Sequence, residues 1–170
     1  RFGQSRISST VEGGERRVEA ELDLLVPGGQ RRLTGRITVV GAAARAPTLT
    51  TPPSPHEWCP LLGPAQAVVD LETADGPFRF QGLAYHDRNG SPVGLDQLGI
   101  ADWAWGRTLT PDLMAAYYVV WPQQGAPFAW WVEVDRGGRL TIDPQASLQF
   151  DRPQRAFYGM AQRNLVVAGR

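Results

Sequence analysis

From Arg17 onward, apolar residues recur at every second position in short runs, and clusters of turn residues break those runs at intervals of roughly ten residues. Period two is the signature of a strand with one face buried. Arg17–Val26 (RVEAELDLLV) sets Val18, Ala20, Leu22 and Leu24 on one face and Glu19, Glu21 and Asp23 on the other. Pro27–Gln30 (PGGQ) is a turn, and Arg31–Val40 alternates again through Leu33, Ile37 and Val39, so the two runs predict an antiparallel hairpin. Ala65–Glu72 and Pro77–Tyr85 flank the turn TADG, with Phe78, Phe80 and Gly82 on a shared face. Further strands are predicted at Asp102–Leu109, Leu113–Trp121, Phe128–Asp135, Arg139–Asp143 and Leu165–Ala168.

The remaining stretches read as connections. Arg1–Thr10 is polar and unpatterned. Ala42–Pro55 is a Pro-rich loop, because proline removes ladder donors from a central strand. His86–Gly94 is dense in turn residues, and Leu95–Ala101 reads as one short helical turn. Many short strands without βαβ units predict an all-β chain, an antiparallel sandwich or barrel. A compact up-and-down barrel would enclose an interior wide enough for one apolar ligand.

The chain's 170 residues suit one domain, and 42% apolar content suffices for a core. Seventeen basic residues, all Arg, balance 17 acidic ones, with no basic stripe, so no nucleic-acid partner is expected. No apolar run approaches the roughly 18 residues of a membrane-spanning helix. Cys59 is the sole cysteine, which rules out a disulfide framework and reads as a small buried hydrophobe. The lone thiol fits a reducing compartment, and a cytoplasmic setting is expected. No CxH or HExxH spacing occurs, so no metal is expected. A start without Met and an end inside the strand-like run NLVVAGR read as part of a longer polypeptide.

Chemistry-bearing residues concentrate between His56 and Arg107. This stretch holds both histidines, the cysteine, Trp58, Tyr85, Trp103 and Trp105. In an extended chain Tyr85 and Asp87 point to one side and His86 to the other. His56 and Trp58 are likewise two apart, so two i, i+2 pairs face each other across a cavity if their segments are neighbours. Plainer readings stand beside this. Asp87 can cap a turn through Arg88-Asn89-Gly90, and Trp58 can plug a barrel end. His56 and Glu57 can form a solvated pair, Trp103/Trp105 and Trp130/Trp131 can be core, and Arg107 can pair with Asp102 or Asp87. On the residues alone the reading is a β-barrel with an apolar cavity.

The same stretch resembles the carotenoid 1,2-hydratase (hydroxyneurosporene synthase) family. The matching residues are His56-Glu57-Trp58, Pro60 with Pro64, Gly82, Tyr85-His86-Asp87, Asn89-Gly90 and Trp103-Ala104-Trp105-Gly106-Arg107, in consistent order and spacing. The resemblance implies a lipocalin-like antiparallel barrel or sandwich within a two-barrel protein. Residues 1–150 would form the barrel domain, and 151–170 a closing strand or the start of a second barrel. It implies hydration of an isolated C=C bond of an acyclic carotenoid or other terpenoid through a tertiary carbocation. Asp87 would be the acid. Trp58 and Tyr85 would lend π faces to the cation, and His56 would orient Asp87 or hold the water. Trp103, Trp105, Phe80 and Tyr118 would contact the apolar substrate, with Asn89 and Arg107 as structural support. No redox or metal cofactor is called for, and peripheral membrane contact fits such a substrate. A non-catalytic binder of an apolar ligand, or an isomerase or cyclase on the same scaffold, are the competing readings. The oligomeric state is left open.

Overall fold

A computed structural model describes residues 4–26, 31–45, 49–50, 56–143, 149–150, 154–155, 161–162 and 165–166. Two antiparallel sheets carry the fold. The first holds β1 (Arg6–Glu12), β2 (Glu15–Leu25), β3 (Arg32–Ala42), β4 (Leu49–Thr50), β5 (Glu57–Thr73) and β6 (Gly76–Gly90), in the order β1-β2-β3-β5-β4, with β6 on the other edge of β5. Strands β3 and β4 share one edge of β5 at different ends: β3 pairs with residues from Gln66 to Glu72, and β4 with Glu57 and Trp58. The second sheet is β7 (Ile100–Leu109), β8 (Leu113–Pro122), β9 (Phe128–Asp135) and β10 (Leu140–Asp143), in the order β10-β9-β8-β7. A single 3-10 turn at Leu95–Gln97 precedes β7.

The all-β expectation holds, as sheets rather than as a closed barrel: among the described residues the two sheets do not join into one ladder. Of the C-terminal stretch, Gln149–Phe150 pairs with Leu165–Val166 and Gln154–Arg155 with Ala161–Gln162. The rest of 151–170, and most of the Pro-rich loop, lie outside the described residues.

The opening, unpatterned in sequence, contains a strand. All seven residues of β1 are exposed, so no burial imprints an alternation on it. It is held by its ladder to β2, from Arg6↔Glu21 to Glu12↔Glu15, closed by Gly13 and Gly14 at positive φ. The central hairpin is longer than predicted, 17 and 15 residues instead of two short runs. The stretch His86–Gly90, turn-like in composition, continues β6, because Asp87, Arg88 and Asn89 pair with Pro60, Cys59 and Trp58. Register shifts between Pro60 and Leu62 and between Leu62 and Ala65 interrupt this end of the hairpin. Such bulges bend a strand and redirect side chains.

Register assigns the faces of the first sheet. One row runs Arg6, Glu21, Arg36, Asp70, Arg79 across five strands, with Arg6 Nε 2.7 Å from Glu21 Oε2 and Arg79 Nε 3.1 Å from Asp70 Oδ1. The adjacent row, on the opposite face, runs Ile7, Ala20, Ile37, Val69, Phe80. This apolar face closes over Val18, Leu62 and Ala65, packed with Val39, but opens at the sheet's edges, where Ile7 is 62% and Phe80 53% exposed.

The main core lies between the sheets. Alternation in β8 and β9 turns Met114, Ala116, Tyr118 and Val120, and Trp130, Val132 and Val134, toward Trp58 and Tyr85. Trp130 and Trp131, expected as one core cluster, therefore divide. Trp131 takes the other face, where its indole N–H donates to Glu133 at 2.8 Å.

Candidate functional site

The site sits where the bulged end of the β5–β6 hairpin meets the second sheet. Trp58 on β5 and Tyr85 on β6 both donate to Asp87: Trp58 Nε1 lies 2.7 Å and the Tyr85 hydroxyl 3.0 Å from the same oxygen, Oδ2. The two predicted pairs are thus adjacent, brought together by the register Trp58↔Asn89 and Pro60↔Asp87. Both hydrogen bonds fall on Oδ2, and Oδ1 accepts none among the described residues. The turn role weighed for Asp87 gives way to strand pairing.

Beside Asp87 opens a cleft of about 700 Å³. Its polar lining includes His56, Asp87 and Asn89, and its apolar walls include Leu98, Ile100, Trp103, Trp105 and Tyr118. Tyr118 is the hub of the aromatic wall. Its ring stacks on His56 at 6.0 Å and on Trp58 at 5.5 Å, and Trp103 and Trp130 tilt against it at 6.0 and 5.9 Å.

Three ionisable groups are perturbed here. Burial, helped by the Asp87 charge and hydrogen bond, pushes the Tyr85 hydroxyl far above its ordinary range, so it is a fixed donor. Burial raises Tyr118 to about 12. Burial lowers His56 from its ordinary value, opposed by a hydrogen bond with Asn89, so His56 is a neutral imidazole near pH 7.

Local sequence explains the placement. Gly63 has positive φ, and a Cβ there would lie 3.1 Å from the Tyr85 ring and 3.5 Å from Met114; only glycine lets β5 pass this close. Trp103, Trp105 and Arg107 alternate on β7 toward the cleft side. Trp105 packs 6.1 Å from the Tyr85 ring, and the Arg107 guanidinium sits 5.4 Å above that ring. Arg107 thus supports Tyr85.

Of the residues singled out from sequence, His56, Trp58, Tyr85, Asp87, Asn89, Trp103, Trp105, Arg107 and Tyr118 gather at this place. Phe80 does not. Strand alternation sets it with His86 on the opposite face of β6, where its ring lies over Gly82. Trp58 is completely buried beneath Tyr118, so the cleft meets the face of Tyr118 rather than that of Trp58. Leu98, Ile100 and Ala101 also line the cleft, and sequence reasoning misses them. Their run has the composition of a helical turn, while a register shift between Ile100 and Asp102 places them along the cleft's rim. Among the described residues no group of three or more His, Cys, Asp or Glu side chains could hold a metal ion.

A family model described as carotenoid hydratase CrtC matches residues 5–164. No curated protein and no solved structure matches the chain.

Proposed function

The chain belongs to the carotenoid hydratase CrtC family, and from that premise we propose that it adds water to an isolated C=C bond of an acyclic carotenoid, with Asp87 as the acid. The observation that carries this reading is the convergence of two donors on one oxygen of a carboxyl group at the wall of an aromatic cleft.

The hard step of alkene hydration is protonation of carbon, which creates a tertiary cation. With Oδ2 engaged by Trp58 and Tyr85, the transferable proton of Asp87 belongs on Oδ1. As it leaves, negative charge develops on the carboxyl group, and both hydrogen bonds at Oδ2 strengthen. Preorganised donors of this kind favour the transition state over the bound substrate. Trp58 and Tyr85 act here as donors to Asp87, not as π faces for the cation. That role passes to the rings that line the cleft, Tyr118 and Trp105, each worth about 0.5–2 kcal/mol by cation–π attraction. The neutral His56, tied to Asn89, adds a polar spot without a competing charge.

The test is Asp87→Asn in the protein incubated with an acyclic carotenoid, measuring the mass gain of one water. The variant is expected to lose the adduct. An undiminished adduct removes Asp87 from the acid role. A polyene bound tightly by the wild type without mass change favours the non-catalytic binder, and a product of unchanged mass but altered retention favours an isomerase or cyclase.

A further inference from the structure

Strand β1 ends the first sheet, and among the described residues nothing pairs with its outer edge. The two-residue turn Gly13-Gly14, with φ of 58° and 85°, joins it to β2. Positive φ at both positions is the tight hairpin geometry in which the flanking residues, here Glu12 and Glu15, exchange both backbone hydrogen bonds. Such pairs recur at every second residue, so Thr10, Ser8 and Arg6 also turn their N–H and C=O groups toward β2. Ile7, Ser9 and Val11 turn theirs outward. Exposed edges are commonly blunted by lysine, proline or a bulge. β1 has neither residue, and its register with β2 runs without a break.

The strand's sequence, Arg6-Ile7-Ser8-Ser9-Thr10-Val11-Glu12, complements its own reverse. We propose that β1 pairs antiparallel with β1 of a second copy of this chain, about a two-fold axis through Ser9. Arg6 then faces the partner's Glu12, Ile7 faces the partner's Val11, and Ser8 faces the partner's Thr10. Each contact occurs twice, as two-fold symmetry requires. Outward N–H groups of one copy meet outward C=O groups of the other. Other registers fit worse. A slip of one residue sets Ile7 opposite Thr10 or Glu12 and joins the apolar face of one sheet to the ionic face of the other. A slip of two keeps the faces but separates the opposite charges.

The pairing also relieves what the lone chain leaves exposed. Glu12 stands opposite Glu15, a like-charge pair that weakens the hairpin. The partner's Arg6 brings the missing counter-charge. Ile7 is 62% and Val11 53% exposed, and across the axis they cover each other. The two apolar faces become continuous. β6, which carries Tyr85 and Asp87, lies toward the other edge of the sheet, so both clefts stay open.

Sedimentation equilibrium over a dilution series tests this. The wild type is expected to sediment with twice the mass of one chain, and a monomer persisting to about 100 μM overturns the proposal. Ser9→Pro removes an outward N–H without touching the β2 ladder, so it should give a monomer with an unchanged circular dichroism spectrum. Ser9→Ala keeps that N–H and should remain a dimer. Glu12→Arg sets like charges against each other at both ends and should raise the dissociation constant roughly ten-fold. It also removes the Glu12–Glu15 repulsion, so a loss of pairing here is not a loss of folding. Adding Arg6→Glu to Glu12→Arg exchanges the signs and should restore the dimer. A dimer left unweakened by Ser9→Pro or by Glu12→Arg overturns the β1 pairing, and so does a double variant no tighter than Glu12→Arg alone.

Discussion

Trp58 and Tyr85 divide one task, since both donate to Asp87 Oδ2. Hydrogen bonds to a charged group are worth about 1.5–3 kcal/mol, so losing either donor should slow the reaction roughly ten- to a hundred-fold. Trp58→Phe and Tyr85→Phe each remove a donor while keeping most of the ring. Steady-state kinetics should show the fall in kcat, and the double variant should cost less than the two single losses added, because both act on one atom. An additive double variant would mean that the donors serve separate ends. Sequence legibility at this scale rests on the period-two rule. It puts Tyr85 and Asp87 together and His86 opposite, and the register bears this out. The same rule, applied to Phe80, excludes it from the site. The Trp58–Asp87 bond is beyond local pattern, because it joins residues 29 positions apart through a register that bulges twice.

The β5–β6 hairpin is the element on which the site depends. Its middle is legible as alternating apolar runs. Its outer half is not, because Asp87, Arg88, Asn89 and Gly90 have turn-forming chemistry that cross-strand pairing overrides. β1 escapes notice for the complementary reason, since an exposed edge strand carries no burial pattern. One glycine pins the hairpin to its neighbour. Gly35 has φ +134°, and a Cβ there would run into the Asp70 carbonyl and lie 2.8 Å from Leu71 Cα. Gly35→Ala should therefore destabilise the chain by about 1–3 kcal/mol, seen as a lower Tm in thermal denaturation. A Tm equal to that of the wild type would show that β3 and β5 separate without cost.

At the scale of the whole molecule, the all-β class is legible because alternation recurs along the chain. Closure is not, because it depends on which edges meet, and among the described residues the sheets stay distinct. Stability against acid is also a property of the whole fold. Burial lowers both His56 and His86 below their ordinary 6.5. The unfolded chain therefore binds protons at these positions before the folded one does, so folding is favoured above pH 6.5 and weakened as pH falls through it toward the folded values. Tm measured between pH 8 and 5 should fall on the acid side, and His86→Gln should flatten that fall. Glu21 and Asp23 are held below their ordinary 4.5 and 3.8 by hydrogen bonds from Arg6 and Arg32, so their loss comes only at lower pH.

The aromatic wall of the cleft has an optical consequence. Trp103 and Trp105 line it, and Trp58 lies behind Tyr118. A conjugated polyene lying along such a wall would be an acceptor for the excited indoles at contact distance. Adding water to an isolated double bond leaves the conjugated run intact, so substrate and product would quench alike. The protein's own emission thus reports occupancy of the cleft without a label, and recovers only when the cleft empties.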